Sequence, residues 1–173
     1  MSILLVHNHY QERGGEDVVF ENETALLEAH GHRVLHFTVH NDDVEGMNRL
    51  ALLKNTVWNE DVVQRLRAFV RQEKPAVMHV HNTLPLLSPA VFHAAKAEGV
   101  PTVVTLHNYR MVCPSAVLYR DGHVCESCLG KKLALPGVVR GCYRGSRAAS
   151  GTVAAMLAAH DASGTYRNAV DAY

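Results

Sequence analysis

The chain has 173 residues, 47% apolar and 20% charged, which is enough for one packed core and ordinary for a soluble globular protein. Seventeen Lys and Arg balance seventeen Asp and Glu, so the net charge is zero with His neutral, which argues against a generic nucleic-acid binder that depends on excess positive charge. No apolar run approaches the roughly 20 residues of a membrane span. No basic segment precedes the short apolar run at the N-terminus, as it would in a secretory signal. The expectation is one cytoplasmic domain.

Ile3-Leu4-Leu5-Val6 is a continuous aliphatic run of the kind buried on both faces of a parallel sheet. After a polar stretch containing Gly14-Gly15, the pattern predicts a helix over 17–30. Val19, Leu26 and Leu27 form its apolar side, and Gly31 closes it. A second strand is expected over 34–37. Asn59 caps a helix over 60–72, where Val62, Val63, Leu66, Phe69 and Val70 recur at helical spacing, and Pro75 ends it. The third strand is expected over 76–81. A helix capped by Ser88, with Pro89 at its first position, runs to about Glu98. The fourth strand is expected over 101–106, and a further Ala-rich helix over 146–160. Strand–helix alternation at this spacing means an α/β, Rossmann-like open parallel sheet with helices on both faces. A Cys-rich insertion over 108–145 follows the fourth strand.

Ligands of such sheets bind outside the carboxyl ends of the strands, and here those ends are rich in histidine and asparagine. The three groups are His7-Asn8-His9, His79-Val80-His81-Asn82 and Thr105-Leu106-His107-Asn108. Gly14-Gly15 lies between the first strand and the first helix, where glycine lets the backbone approach a ligand. The G-x-G-x-x-G and G-x-x-x-x-G-K-[ST] patterns are absent, and Glu12, Glu16 and Asp17 place carboxylates where a phosphate would sit, which favours a hydroxyl-rich ligand instead. A metal-dependent hydrolase would want H-E-x-x-H or a comparable carboxylate-rich set, and none is present.

All four cysteines fall in the insertion, spaced C-x11-C-x2-C-x13-C at Cys113, Cys125, Cys128 and Cys142. A Cys-x-x-Cys with two outlying cysteines in a cytoplasmic chain suits a structural Zn²⁺ site; free thiols and a disulfide or redox role stay open. Residues 110–147 carry seven basic side chains against Asp121 and Glu126, a local excess that points to an anionic neighbour.

Leu4-Leu5-Val6-His7-Asn8, Arg13-Gly14-Gly15-Glu16-Asp17-Val18-Val19 and Gly31-His32-Arg33-Val34 together resemble the opening of family 4 glycosyltransferases of the GT-B fold. Val80-His81-Asn82 and Thr105-Leu106-His107-Asn108-Tyr109-Arg110 resemble that family's strand ends. Cys113-Pro114, Cys125-Glu126-Ser127-Cys128-Leu129 and Cys142-Tyr143-Arg144-Gly145-Ser146 are similar to a bacterial branch of it. The resemblance implies that residues 1–173 are the N-terminal, acceptor-side domain of a retaining enzyme. Such an enzyme moves a sugar from a nucleotide-sugar donor to a glycan or lipid-linked acceptor, with no metal needed for catalysis. The family's C-terminal nucleotide-sugar domain, with its Glu-x7-Glu signature, is not represented here, so these residues alone are not expected to catalyse transfer. By the same resemblance His107 is the catalytic candidate, and Gly14, Gly15, His81, Asn82, Asn108 and Arg110 are candidates for acceptor or donor binding. The basic insertion implies a lipid-pyrophosphate acceptor or a peripheral contact with the inner face of the membrane. The alternative is a non-catalytic, zinc-stapled α/β module that binds a glycan or a protein.

Overall fold

In the computed structural model, which describes all 173 residues, the N-terminal aliphatic run extends into β1 (Ser2–His9), so that His7, Asn8 and His9 belong to the strand itself. β2 (Arg33–His40), β3 (Val77–Asn82) and β4 (Thr102–Val104) complete a parallel sheet in the order β2-β1-β3-β4. Between them run α1 (Gly15–Ala29), a 3-10 turn (Asn41–Val44), α2 (Arg49–Val57), α3 (Glu60–Glu73) and α4 (Ala90–Ala97). Residues 165–173 return to this sheet, where Ala172 pairs in parallel with Val103. These segments form one compact unit, and residues 106–164 form a second.

The first unit follows from the two-residue period of its strands. Leu4 and Val6 of β1, Phe37 of β2, and Met78 and Val80 of β3 join Leu66, Val70 and Val91 of α3 and α4 in one core cluster. Ile3 and Leu5 point the other way, against Phe20 and Leu27 of α1 and Val34 and Val77 of the flanking strands. Both faces of the sheet are therefore covered, as a parallel sheet requires. Asn59 caps α3 as expected, its Oδ1 accepting from Val62 N at 3.3 Å.

Three expectations need correction. The buried side of α1 is Asp17 and Phe20, while Val19 and Leu26 face solvent, because the residues facing the strand ends there are polar. Ser88 adopts φ 58°, so α4 begins after Pro89; the Ser88 hydroxyl instead accepts from Asn59 N at 3.1 Å and Ala90 N at 3.3 Å. β4 stops at Val104, so the segment from Leu106 onward is not strand but the start of the second unit. The elements over 41–57 lie where no pattern had been read, because α2 buries only Thr56 and its Leu50 and Leu53 are exposed.

The second unit contains a short hairpin, β5 (Tyr119–Arg120) and β6 (His123–Val124), turned by Asp121-Gly122 with positive φ at both residues. α5 (Leu135–Val139) packs on α6 (Arg147–Ala162). Ser146 caps α6, its Oγ accepting from Ala149 N at 3.2 Å.

Candidate functional site

The sheet order changes direction at β1: β2 lies on one side of it, and β3 and β4 on the other. The crevice beyond the carboxyl ends of β1 and β3 is therefore the topological switch point, where open α/β sheets hold ligands. Gly14-Gly15 leaves β1 there, and His81-Asn82 ends β3 there. A register shift after Val6 pairs His7 with Asn82 and leaves His81 outside the ladder.

On the α1 face the alternation that buries Ile3 and Leu5 carries on to His7 and His9 in β1, and Val77 carries on to His79 and His81 in β3. The lower layer of this face is aliphatic and the upper layer is imidazole. The rings surround Phe20, with His7 stacked on it at 4.8 Å and His81 edge-on at 5.5 Å. α1 contributes the matching acids. Asp17 Oδ1 accepts from His7 Nε2 at 2.9 Å and His9 Nδ1 at 3.1 Å, while its Oδ2 accepts from Gly14 N at 2.7 Å. Glu23 pairs with His79 Nδ1 at 2.8 Å and lies 3.5 Å from His81 Nε2. Each acid with its two imidazoles is a three-ligand group compact enough to hold a cation.

Burial pushes the His7 imidazole below its ordinary pKa despite the hydrogen bond to Asp17, so at neutral pH it is uncharged. Burial by itself would raise the Asp17 carboxyl. The Gly14 amide and the two imidazole donors outweigh that and hold it below the usual carboxylate range. A neutral His7 with its proton on Nε2 and an ionised Asp17 make a consistent pair, which leaves His7 Nδ1 as a buried lone pair without a partner. Asp17 thus latches the glycine loop onto the end of β1.

That latch reshapes the reading of the two glycines. The Gly14 amide is already taken by Asp17, and a Cβ on Gly14 would come within 3.3 Å of the Tyr10 ring. Gly15 is exposed, its φ is not in the left-handed region, and a Cβ there would meet nothing within 4 Å. Neither backbone conformation nor packing within the chain requires glycine at position 15.

The opposite side of β1 is held by amides. Asn8 donates to Asn41 Oδ1 at 2.7 Å and accepts from Leu86 N at 2.9 Å. Asn82 donates to Asn8 O at 2.8 Å and accepts from Leu84 N at 3.0 Å. Both ends of the Asn82 amide are therefore engaged within the chain.

The remaining candidates belong to the second unit. His107 is half-buried and outside regular structure. Asn108 Oδ1 accepts from Arg110 N at 2.9 Å, and the Arg110 guanidinium lies 4.7 Å over the Tyr143 ring and donates to Pro114 O. Cys113, Cys125, Cys128 and Cys142 carry free thiols around one cavity. Sequence reasoning noted His9, His79 and Asp17 at the strand ends and the glycine loop without pairing them, and it missed Glu23. The signal was the H-x-H alternation in two strands, which separates the imidazole face from the asparagine face.

Residues 14–170 match the family described as glycosyl transferase 4-like domain. No curated protein matches the chain. No helix is long and apolar enough to cross a membrane.

Proposed function

The chain belongs to the glycosyl transferase 4-like family, and from that premise we propose that residues 1–173 form the acceptor-side part of a retaining glycosyltransferase. In this reading a nucleotide-sugar domain outside these residues takes the donor nucleotide and supplies most of the stabilisation of the leaving phosphate. The observation that carries the reading is Gly15: an exposed helix-initial glycine at the switch point that the fold does not need. Its missing side chain leaves clearance for a ligand against the first turn of α1, whose dipole favours an anion or hydroxyl group.

His81 and Asn82 belong to the wall of this crevice, Asn82 by holding its shape. His107 is assigned a hydrogen bond to the donor sugar, a role a neutral imidazole can fill. Asn108 and Arg110 position the segment that carries it. For the acceptor, the basic excess over 110–147 and the exposed Leu129, Leu133, Leu135 and Val139 in the same stretch support a lipid-linked pyrophosphate at an anionic inner-membrane surface. Each Lys or Arg near such a surface contributes on the order of 1 kcal/mol. No metal takes part in the transfer step of this reading.

The test joins residues 1–173 to a donor-side domain and follows transfer from a panel of nucleotide sugars. His107→Ala should lower kcat by roughly 100-fold or more with the circular dichroism spectrum unchanged. Unchanged turnover would remove His107 from the mechanism. Glycan binding by the chain that is indifferent to nucleotide sugar, with no transfer, would favour the non-catalytic binding module instead.

A further inference from the structure

The second unit has few large apolar side chains inside it. Its buried hydrophobics are Cys113, Ala116, Ala134, Val153, Ala154 and Met156, most of them small. Residues 106–145 hold only a two-by-two hairpin and the five-residue α5. A segment this poor in core normally needs a covalent or metal staple. No disulfide joins its four cysteines, although all of them line one cavity of about 240 Å³.

Hydrogen-bond donors approach each of the four sulfurs, and burial pushes the Cys128 thiol up. Backbone amides of Ser115, Ala116 and Leu118 are directed at Cys113 Sγ, that of Ser127 at Cys125 Sγ, and that of Gly137 at Cys128 Sγ. Within Cys125-Glu126-Ser127-Cys128 the amide two residues on thus turns back to the first sulfur. Arg120 approaches Cys142 Sγ at 3.3 Å and Arg140 approaches Cys125 Sγ at 3.8 Å. Arg140 is anchored by Ser127 Oγ at 3.0 Å and Arg120 by Asp121 at 2.9 Å. Gly137 is needed for this closeness: a Cβ there would stand 3.0 Å from Pro114 and 3.4 Å from Cys128 Sγ.

We propose that Cys113, Cys125, Cys128 and Cys142 bind one Zn²⁺ as a structural tetrathiolate, and that Arg120 and Arg140 are its charge-compensating partners. Four thiolates and one Zn²⁺ leave a net charge of minus two, which two guanidiniums cancel. Tetrahedral thiolate coordination is what Zn²⁺ prefers in closed structural sites, and amide and guanidinium donors to the sulfurs are the outer partners that tune such sites. The sulfurs stand around the cavity walls, and binding draws them together with release of the thiol protons.

The test uses the 173-residue chain purified without added metal or chelator and dialysed exhaustively. Elemental analysis should find about one zinc per chain. Replacing zinc with Co²⁺ should give the intense visible bands and sulfur-to-metal charge transfer of a tetrahedral thiolate complex. Cys125→Ser and Cys142→Ser should abolish that spectrum. Arg120→Ala and Arg140→Ala should keep its shape and weaken binding by roughly ten- to a hundred-fold. A folded, metal-free chain with four thiols open to alkylation and no Co²⁺ thiolate spectrum would overturn the proposal. So would serine variants that bind Co²⁺ as tightly as the parent. If a serine variant does not fold, the Co²⁺ spectrum of the parent chain still decides.

Discussion

The two units of this chain solve the problem of staying folded in opposite ways. The first buries aliphatic side chains on both faces of a four-stranded sheet and places its polar chemistry at the strand ends. The second leaves most of its large apolar residues outside, Val112, Val117, Val124, Leu133, Leu135 and Val139 among them, and lines one cavity with its four cysteines, Arg120 and Arg140. Burial is non-directional and tolerates variation, whereas a polar centre depends on each of its few members. The first unit should therefore lose stability in proportion to removed volume, and the second should respond to single polar changes.

The largest expected effect breaks the apolar side of that contrast. Leu66, the fully buried core residue of α3, should cost about 2–5 kcal/mol on replacement by Ala. Val124→Ala in the exposed hairpin should stay within about 0.5 kcal/mol. Denaturant unfolding of both variants measures the difference, and equal losses would refute the contrast.

Next comes the latch. Asp17→Ala leaves the His7 Nε2 donor buried and the Gly14 amide without its acceptor, at a cost of about 1–3 kcal/mol. Amide exchange at Gly14 and Gly15 should rise with it. A variant as stable as the parent, with the loop equally protected, would show that Asp17 holds nothing.

A smaller effect concerns pH. Burial pushes the His7 and His93 imidazoles below their ordinary value, so below about pH 6.5 the unfolded chain binds more protons than the folded one. Stability should be flat above that point and fall as the pH drops through it. Asp17, whose folded carboxyl lies below its usual range, adds a further loss once the pH passes below the ordinary carboxylate value. His7→Gln should flatten the upper part of the curve. Thermal melts from about pH 8 to about pH 4 test this, and a melting temperature constant from neutrality to pH 5 would contradict it.

Much of the first unit was legible because its signals are local. Aliphatic runs, the Asn59 cap and the left-handed Gly31 each act over a few residues. The candidate site was only partly legible. His7 and Asn8 are adjacent in sequence but face opposite sides of β1, where one meets an acid from α1 and the other an amide at Asn41. Asp17 looked like a carboxylate in the way of a ligand, since nothing in the sequence indicates that it turns inward. The convergence of Cys113, Cys125, Cys128 and Cys142 on one cavity was suggested by spacing. The approach of Arg120 and Arg140 depends on tertiary folding and left no local trace.

The smallest stability effect accompanies the most direct test of function. Gly15 has open space where a side chain would stand and a backbone that any residue can adopt. Gly15→Ala should therefore leave stability unchanged or raise it by about 0.4–1 kcal/mol, and Gly15→Val should fold normally. The decisive measurement is sugar transfer by the Gly15→Val variant joined to a donor-side domain, set against its melting temperature. An unchanged melting temperature with transfer lost is the predicted result. Full transfer with a side chain at position 15 would contradict a ligand at the switch point.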